Sequence, residues 1–157
     1  MTVDVARGQG SDYSAFTVFD ITELPYKAVA KYRSNLVAPL VFPNIINIIG
    51  KKYNDAYILI EINDIGSQVA DVLHHDLEYE NLFSTAWYGR HGQQLSGFVG
   101  GKRDSQFGVR TSKQVKKLGC SNLKALIEDD KLLIPDYDMI SELTTFVSTG
   151  DTFSAED

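Results

Sequence analysis

The sequence predicts an α/β fold in which helices flank a mixed β-sheet. Three observations support this prediction. Residues 1–34 contain three β-type runs with short separations, which is typical of an antiparallel meander. Residues 56–62 form a nearly continuous apolar run, which is typical of a strand buried on both faces of a sheet. The segments that follow alternate between helical and β-type patterns, as expected for an α/β domain.

The N-terminal elements follow from turn residues and apolar patterns. Runs rich in β-branched and aromatic residues predict three strands, at residues 1–6, 14–21 and 26–34. Pro39 and Pro43 predict the start of a helix that ends near Tyr53, because proline is well tolerated in the first turn of a helix. Isoleucines supply the apolar face of this helix. The run at residues 56–62 is the fourth predicted strand.

The middle of the chain predicts a second helix and a fifth strand. The helix covers roughly residues 65–79, and either Asn63 or Asp64 is expected to cap its N-terminus with a side-chain oxygen. The fifth strand is expected at residues 82–88. The segment Gly89–Gly108 contains six glycines among short apolar runs, which predicts a protruding hairpin or a mobile loop.

The C-terminal part is predicted to contain two helices and a short strand. Thr111 or Ser112 is expected to cap a helix that ends near Glu128. A short strand is expected at Leu132–Ile134, and a final helix near residues 137–148.

Three meandering strands followed by helix, strand, helix and strand is the order of elements in a ribonuclease H-like domain. In that layout the first and fourth strands are neighbours in the sheet, which would bring Asp4 and Glu61 together. Each of these acids interrupts an apolar β-type run, where burying an unpaired carboxylate is costly. A divalent metal ion held between the two strands would compensate both charges.

Length and composition are those of one domain, predicted to span residues 1–157. The single cysteine excludes an intrachain disulfide, and no uninterrupted apolar run is long enough to span a membrane. The net charge of −6 does not suggest a nucleic-acid-binding protein. However, the segment Lys102–Lys117 carries six basic residues and one acid, and such a stripe is expected either to follow a phosphate backbone or to be a solvated helix face.

Four segments carry a family resemblance, and they occur in the family's order. The first two are Asp4-x-x-x-Gly8-x-Gly10-x-Asp12-Tyr13 and Ile60-Glu61-Ile62-Asn63-x-x-Gly66-x-x-Val69-Ala70. The other two are Asp76-Leu77-Glu78-Tyr79-Glu80 and Gly119-Cys120-Ser121-x-Leu123-Lys124-x-Leu126-Ile127-Glu128-x-Asp130-Lys131-Leu132. Through these segments the chain resembles the nuclease domain of the large terminase subunit of tailed bacteriophages, particularly of the myovirus type.

The resemblance implies a metal-dependent endonuclease that cuts concatemeric double-stranded phage DNA during packaging, in the cytoplasm of the infected bacterial host. It implies two-metal phosphodiester hydrolysis with Mg²⁺ or Mn²⁺, which prefer oxygen ligands. Asp4 would bridge both ions and Glu61 would bind one. Asp12 would orient a metal-bound water or an arginine, unless it only caps an Asx-type turn. Asn63 would hydrogen-bond to a metal ligand, unless it caps the following helix.

The resemblance also implies contacts with DNA and with other packaging components. Five basic residues are candidates for binding DNA phosphates: Lys102, Arg103, Arg110, Lys113 and Lys116. In the full family protein, the partners are an ATPase domain and the phage portal.

Two features of the family are missing from the sequence. The family uses a third catalytic aspartate in a segment of the type His-Asp-Asp-Leu-Val, and this sequence ends at Asp157 without one. It also lacks the Gly-x-x-x-x-Gly-Lys-[Ser/Thr] phosphate loop of the ATPase half. We therefore expect a fragment of a larger protein, with weak or no nuclease activity, weak metal binding and an exposed edge that favours a homodimer.

Two other functions fit the same residues. The turn after Asp4, with Gly8 and Gly10, is compatible with the phosphate-binding turn of an actin–hexokinase-type domain. Such proteins need a second, similar half, and the sequence has no internal repeat. A domain without the third carboxylate would alternatively serve as a non-catalytic module that docks DNA or a portal protein.

Overall fold

The computed structural model describes residues 1–88, 92–97, 105–149 and 152–155. The chain divides into two compact units. The first comprises Met1–Thr17 and Lys31–Arg110, and the second comprises Val18–Ala30 and Thr111–Asp157. Two of the predicted DNA-binding residues, Lys102 and Arg103, lie outside the described residues.

A five-stranded mixed sheet contains the N-terminal strands. These are β1 (Thr2–Asp4), β2 (Ser14–Asp20), β3 (Tyr26–Ser34) and β4 (Leu59–Ile60). β1 pairs antiparallel with β2 and parallel with β4. With β8 (Leu132–Leu133), which pairs parallel with β3, the strand order is β4-β1-β2-β3-β8. The predicted α/β class with a mixed sheet is confirmed, and so is the prediction that the first and fourth strands are neighbours.

The fourth strand is buried on one face only, so the prediction that it is buried on both faces is wrong. Ile58, Ile60 and Ile62 are at most 2% exposed, whereas the alternating residues Leu59 and Glu61 are partly exposed. Leu59 lines an open pocket instead of the core. Because Leu59 is apolar although it lies on the exposed face, the sequence of this strand does not show the alternation of apolar and polar residues expected for a strand buried on one face.

The first helix, α1 (Phe42–Lys52), begins where the prolines predict it, with Pro43 in its first turn. Phe42 and Ile46 are fully buried. The ring of Phe42 stacks on Tyr32, which in turn stacks on Phe16 of β2, with ring centroids 5.7 and 5.2 Å apart. This aromatic cluster fixes α1 against one face of the sheet.

The second helix, α2 (Gly66–Asp71), continues as a π-helical turn over Val72–Asp76, close to the predicted range. Its N-cap residue is Ile65, which makes no side-chain cap hydrogen bond. The prediction that Asn63 or Asp64 caps this helix is therefore wrong. Both of their side chains instead bond to groups on preceding segments of the chain.

A second sheet follows α2. It comprises β5 (Ser84–Trp87), β6 (Gln93–Gly97) and β7 (Ser105–Phe107), with β5 in the centre. β6 and β7 both lie in the segment Gly89–Gly108, and each pairs antiparallel with β5. Residues 89–91 and 98–104 of this predicted hairpin or loop lie outside the described residues. Just after β7, Val109 forms a parallel bridge with Glu61, so this segment reaches the end of β4.

The second compact unit contains two further helices and a hairpin. α3 (Lys113–Glu128) is capped by Ser112, as predicted; its hydroxyl accepts a hydrogen bond from the Val115 N–H at 3.2 Å. α4 (Tyr137–Thr144) is followed by an antiparallel hairpin of β9 (Phe146–Thr149) and β10 (Thr152–Ala155). The predicted continuation of this helix to residue 148 is wrong, because the β-branched and aromatic residues after α4 favour strands. Within the described residues, no helix has the length and apolar character needed to cross a membrane.

Candidate active site

Asp4 and Glu61 lie side by side at the ends of β1 and β4. The parallel register pairs Val3 with Ile60, and the Glu61 N–H donates to the Val3 carbonyl at 2.8 Å. The carboxyl groups of Asp4 and Glu61 are hydrogen-bonded to each other. Such a bond forms when Asp4 is protonated, because ionised carboxylates only accept hydrogen bonds.

The surroundings of the pair raise the pKa of Asp4 from 3.8 to about 6. Partial loss of water around the carboxyl group is the largest cause, followed by the hydrogen bond with Glu61 and by the charge of Glu61. The backbone N–H of Val5 acts in the opposite direction, and the charge of Asp12 adds a smaller upward effect. Negative charge is therefore concentrated at this point, which favours the binding of a cation.

Asn63 holds one oxygen of Glu61. Its side-chain amide donates to Glu61 Oε1 at 3.1 Å. Its backbone carbonyl accepts a hydrogen bond from the Gly66 N–H at 3.2 Å, where α2 begins. Of the two roles predicted for Asn63, the structure contains the hydrogen bond to a carboxylate and not the side-chain cap.

The glycine-rich turn after β1 is closed by Ser14 and anchored to the segment after β3. Ser14 is fully buried, and its hydroxyl accepts from the Ala6 N–H at 3.0 Å and donates to the Ala6 carbonyl at 3.2 Å. Gly8 has φ +69°, and a Cβ at this position would collide with the carbonyl oxygen of Val37. Glycine is therefore required there. Asp12 lies exposed at the far end of this turn.

Arg7 and Asp64 form an ion pair near the two acids that was not predicted from the sequence. The guanidinium of Arg7 donates to Asp64 through Nε to Oδ2 at 2.8 Å and through Nη2 to Oδ1 at 2.7 Å. These bonds raise the pKa of Arg7 and hold the pKa of Asp64 below its usual value. Their positions in the sequence could have indicated the contact, because Arg7 lies three residues after Asp4 and Asp64 lies three residues after Glu61.

An open pocket of about 240 Å³ lies on the face of the sheet that carries the pair. It is lined by residues of β1, β2 and β4, by the residue that follows β4, and by Val109, two residues after β7. The lining residues are Thr2, Val3, Asp4, Ala15, Phe16, Thr17, Leu59, Glu61 and Val109. Arg110 follows Val109 directly, and its backbone N–H donates to the side-chain oxygen of Gln93 at 3.2 Å. Among the predicted DNA-binding residues that the structure describes, Arg110 belongs to the same compact unit as the pair, whereas Lys113 and Lys116 belong to the other unit.

The chemistry of the paired acids fits a hard divalent cation. Carboxylate oxygens are the ligands that Mg²⁺ and Mn²⁺ prefer, and a bound cation would favour the ionised form of Asp4. Within the residues described above, no cluster of three or more His, Cys, Asp or Glu side chains could hold a metal ion. Water and phosphate oxygens would therefore have to complete the coordination of a cation at this pair.

Comparison with known protein families gives a match over almost the whole chain. A family model described as the terminase RNaseH-like domain matches residues 1–155. The matched range includes both acids of the pair, the glycine-rich turn and the whole five-stranded sheet.

Proposed function

The chain belongs to the family of terminase RNaseH-like domains, and on this basis we propose that it cuts concatemeric double-stranded DNA during packaging. The reaction would be metal-dependent hydrolysis of phosphodiester bonds. The observation that supports this proposal best is the pair of acids on the open face of the sheet. Two neighbouring carboxyl groups, of which the charge of Glu61 raises the pKa of Asp4, are suited to bind a cation.

Each residue of the site has a distinct role in this proposal. Asp4 and Glu61 hold the divalent cations, and Asn63 keeps Glu61 in place through its hydrogen bond to Oε1. Bound Mg²⁺ or Mn²⁺ would activate water and neutralise charge on the reacting phosphate. Asp12 orients the attacking water or an arginine from the exposed end of the glycine-rich turn. Asp4 must lose its proton before it can bind a cation, so binding weakens below about pH 6.

DNA would be held by basic residues through its phosphates. Arg110 is the strongest candidate, because it directly follows a residue that lines the pocket. We include Lys113 and Lys116 at the start of α3, together with Lys102 and Arg103, in the same proposed DNA-binding set. In a chain with a net charge of −6, phosphate contacts with these cations would offset the repulsion between DNA and the acidic residues.

The proposed biological setting follows from the family. A packaging nuclease acts together with an ATPase domain and a portal, in the cytoplasm of an infected bacterium. We propose these partners and this location for the present chain.

Cleavage of supercoiled plasmid in Mn²⁺ and in Mg²⁺, with EDTA as the metal-free control, tests the proposal. We expect slow cleavage by the parent, since only two carboxylate ligands are brought together among the described residues. Asp4→Asn and Glu61→Gln should each lower the rate by at least about 100-fold, the upper end of the effect of a supporting residue. Asp71→Asn is the matched control, because Asp71 is an exposed acid of α2 that does not line the pocket.

The possible outcomes separate the proposed function from its alternative. Undiminished cleavage by Asp4→Asn would mean that the site is wrongly assigned. DNA binding without any metal-dependent cleavage by the parent would favour the non-catalytic docking module.

A further inference from the structure

We propose that Arg7 and Asp64 form a clasp that positions the carboxyl groups of Asp4 and Glu61. This inference rests on the proposed nuclease function, because it names positioning residues for that site. Arg7 and Asp64 are not themselves assigned contacts with the reacting atoms.

The clasp joins the two chain segments that leave the sheet beside the paired acids. Arg7 lies three residues after Asp4, and Asp64 lies three residues after Glu61. Because β1 and β4 are parallel, both segments leave the sheet at the C-terminal ends of these strands, on the same side. The bond from the Glu61 N–H to the Val3 carbonyl, at 2.8 Å, belongs to the pairing of the two strands. The ion pair between Arg7 and Asp64 adds a second connection between the two segments, after the strands have ended.

The geometry of the clasp restricts orientation as well as distance. Both guanidinium–carboxylate bonds are short, at 2.8 and 2.7 Å, and a two-bonded arginine–carboxylate contact fixes the relative planes of its groups. Asp64 has φ +53°, a left-handed conformation that reverses the chain just after Asn63. Aspartate tolerates this conformation better than most residues. The side chain of Asp64 is thereby directed to Arg7 while the backbone of Asn63 stays bonded to α2.

The exposure of the clasp separates positioning from global stability. The side chains of Arg7 and Asp64 are 61% and 53% exposed, and exposed ion pairs contribute little to the stability of a whole domain. Loss of the clasp should therefore loosen the ends of the two strands without unfolding the protein. The thermal unfolding midpoint should change by no more than about 4 °C.

Amide hydrogen exchange tests the clasp without relying on nuclease activity. In Arg7→Ala and in Asp64→Asn, the Glu61 amide should exchange up to about 5-fold faster than in the parent. Asparagine is chosen because it also tolerates the left-handed conformation. The Leu59 amide, which donates to the Met1 carbonyl at 2.9 Å at the other end of the strand pair, should be unchanged.

A matched control breaks a different exposed ion pair. Lys124→Ala removes the contact with Glu128, at 3.5 Å within α3 of the second unit. It should leave the Glu61 amide unaffected.

Plasmid cleavage supplies the readout that a purely structural contact would not change. Arg7→Ala, Asp64→Asn and the double variant should each lower kcat by a similar factor of about 10 to 100, because the two residues act as one unit. KM for DNA should stay unchanged. Arg7→Lys should not restore kcat, because an ammonium group cannot make the two-bonded contact.

Three outcomes would overturn the clasp. One is an unchanged exchange rate for the Glu61 amide in both single variants. Another is additive loss of kcat in the double variant. The third is weaker DNA binding with a smaller salt dependence in Arg7→Ala alone, which would make Arg7 a phosphate-binding residue. A parent that binds DNA but cleaves none in Mg²⁺ or Mn²⁺ would favour the non-catalytic docking module over the proposed nuclease, and the exchange measurement alone would then decide whether the clasp orders the strand ends.

Discussion

Gly66→Ala should destabilise the protein, although alanine is normally the better residue in a helix. Gly66 is the first residue of α2 and packs directly against the backbone of Glu61. A Cβ at Gly66 would collide with the Glu61 carbonyl oxygen, and it would lie 2.9 Å from the carbonyl carbon. Side-chain rotation cannot relieve a collision with backbone atoms, so either α2 or the end of β4 must move.

The size of this effect follows from two opposing contributions. Forcing extra volume into a close-packed contact costs about 1–3 kcal/mol. Replacing a helical glycine by alanine gains at most about 1 kcal/mol. We therefore expect a net loss of up to about 3 kcal/mol, which corresponds to a thermal midpoint lower by up to roughly 12 °C for a chain of this length.

Gly119→Ala is the matched control. Gly119 lies within α3, and a Cβ there would have no neighbour within 4 Å. This variant should gain about 0.5–1 kcal/mol, because the helical alanine loses less backbone freedom on folding.

Urea and thermal denaturation followed by circular dichroism would measure both variants. Stability of Gly66→Ala equal to or above that of the parent would refute the close-packing argument. Because a movement of the backbone at Glu61 also displaces its carboxylate, Mn²⁺-dependent cleavage should fall further than the loss of stability explains.

Further predictions concern pH, a supporting residue and DNA. The pKa of Asp4 is raised from 3.8 to about 6, so its proton stabilises the folded protein fully below about pH 3.8 and this contribution is lost as the pH rises through about 6. Urea denaturation should therefore find that Asp4→Asn stabilises the metal-free protein more at pH 7 than at pH 4, and equal effects would contradict the shift. Asn63→Ala should slow plasmid cleavage by about 10- to 100-fold, because Glu61 Oε1 loses its hydrogen bond; an unchanged rate would show that this bond is dispensable. Arg110→Glu combined with Lys113→Glu should weaken DNA binding and lower the slope of log affinity against log salt by about 0.9 for each lost phosphate contact. A constant slope would mean that these side chains are only solvated surface.

The sequence was sufficient to predict which two acids meet. Asp4 and Glu61 each interrupt an apolar run, and the order of elements makes their strands neighbours. These are strong signals, because a carboxylate within a strand needs compensation and few topologies fit three meandering strands followed by alternating elements. The cap of α3 at Ser112 was also predictable, because the signal is local.

Contacts between distant segments could not be predicted from local patterns. Asp64 has the residue type and position of a helix cap, but its partner Arg7 lies 57 residues earlier in the chain. Whether the Asp64 side chain caps α2 or bonds to Arg7 depends on the parallel pairing of β1 and β4 and on the left-handed backbone at Asp64. Leu59 gave a similar error, since an apolar residue that lines a pocket cannot be told from a core residue by its type.

The central claim is that Asp4 and Glu61 together hold a divalent cation, and a crystal soaked in Mn²⁺ tests it most directly. Anomalous scattering would locate the ion independently of any enzymatic activity. We predict an anomalous peak within about 2.3 Å of carboxylate oxygens of both residues, and its loss in crystals of Asp4→Asn. A peak only at other residues, or an equally strong peak at this position in Asp4→Asn, would contradict the claim.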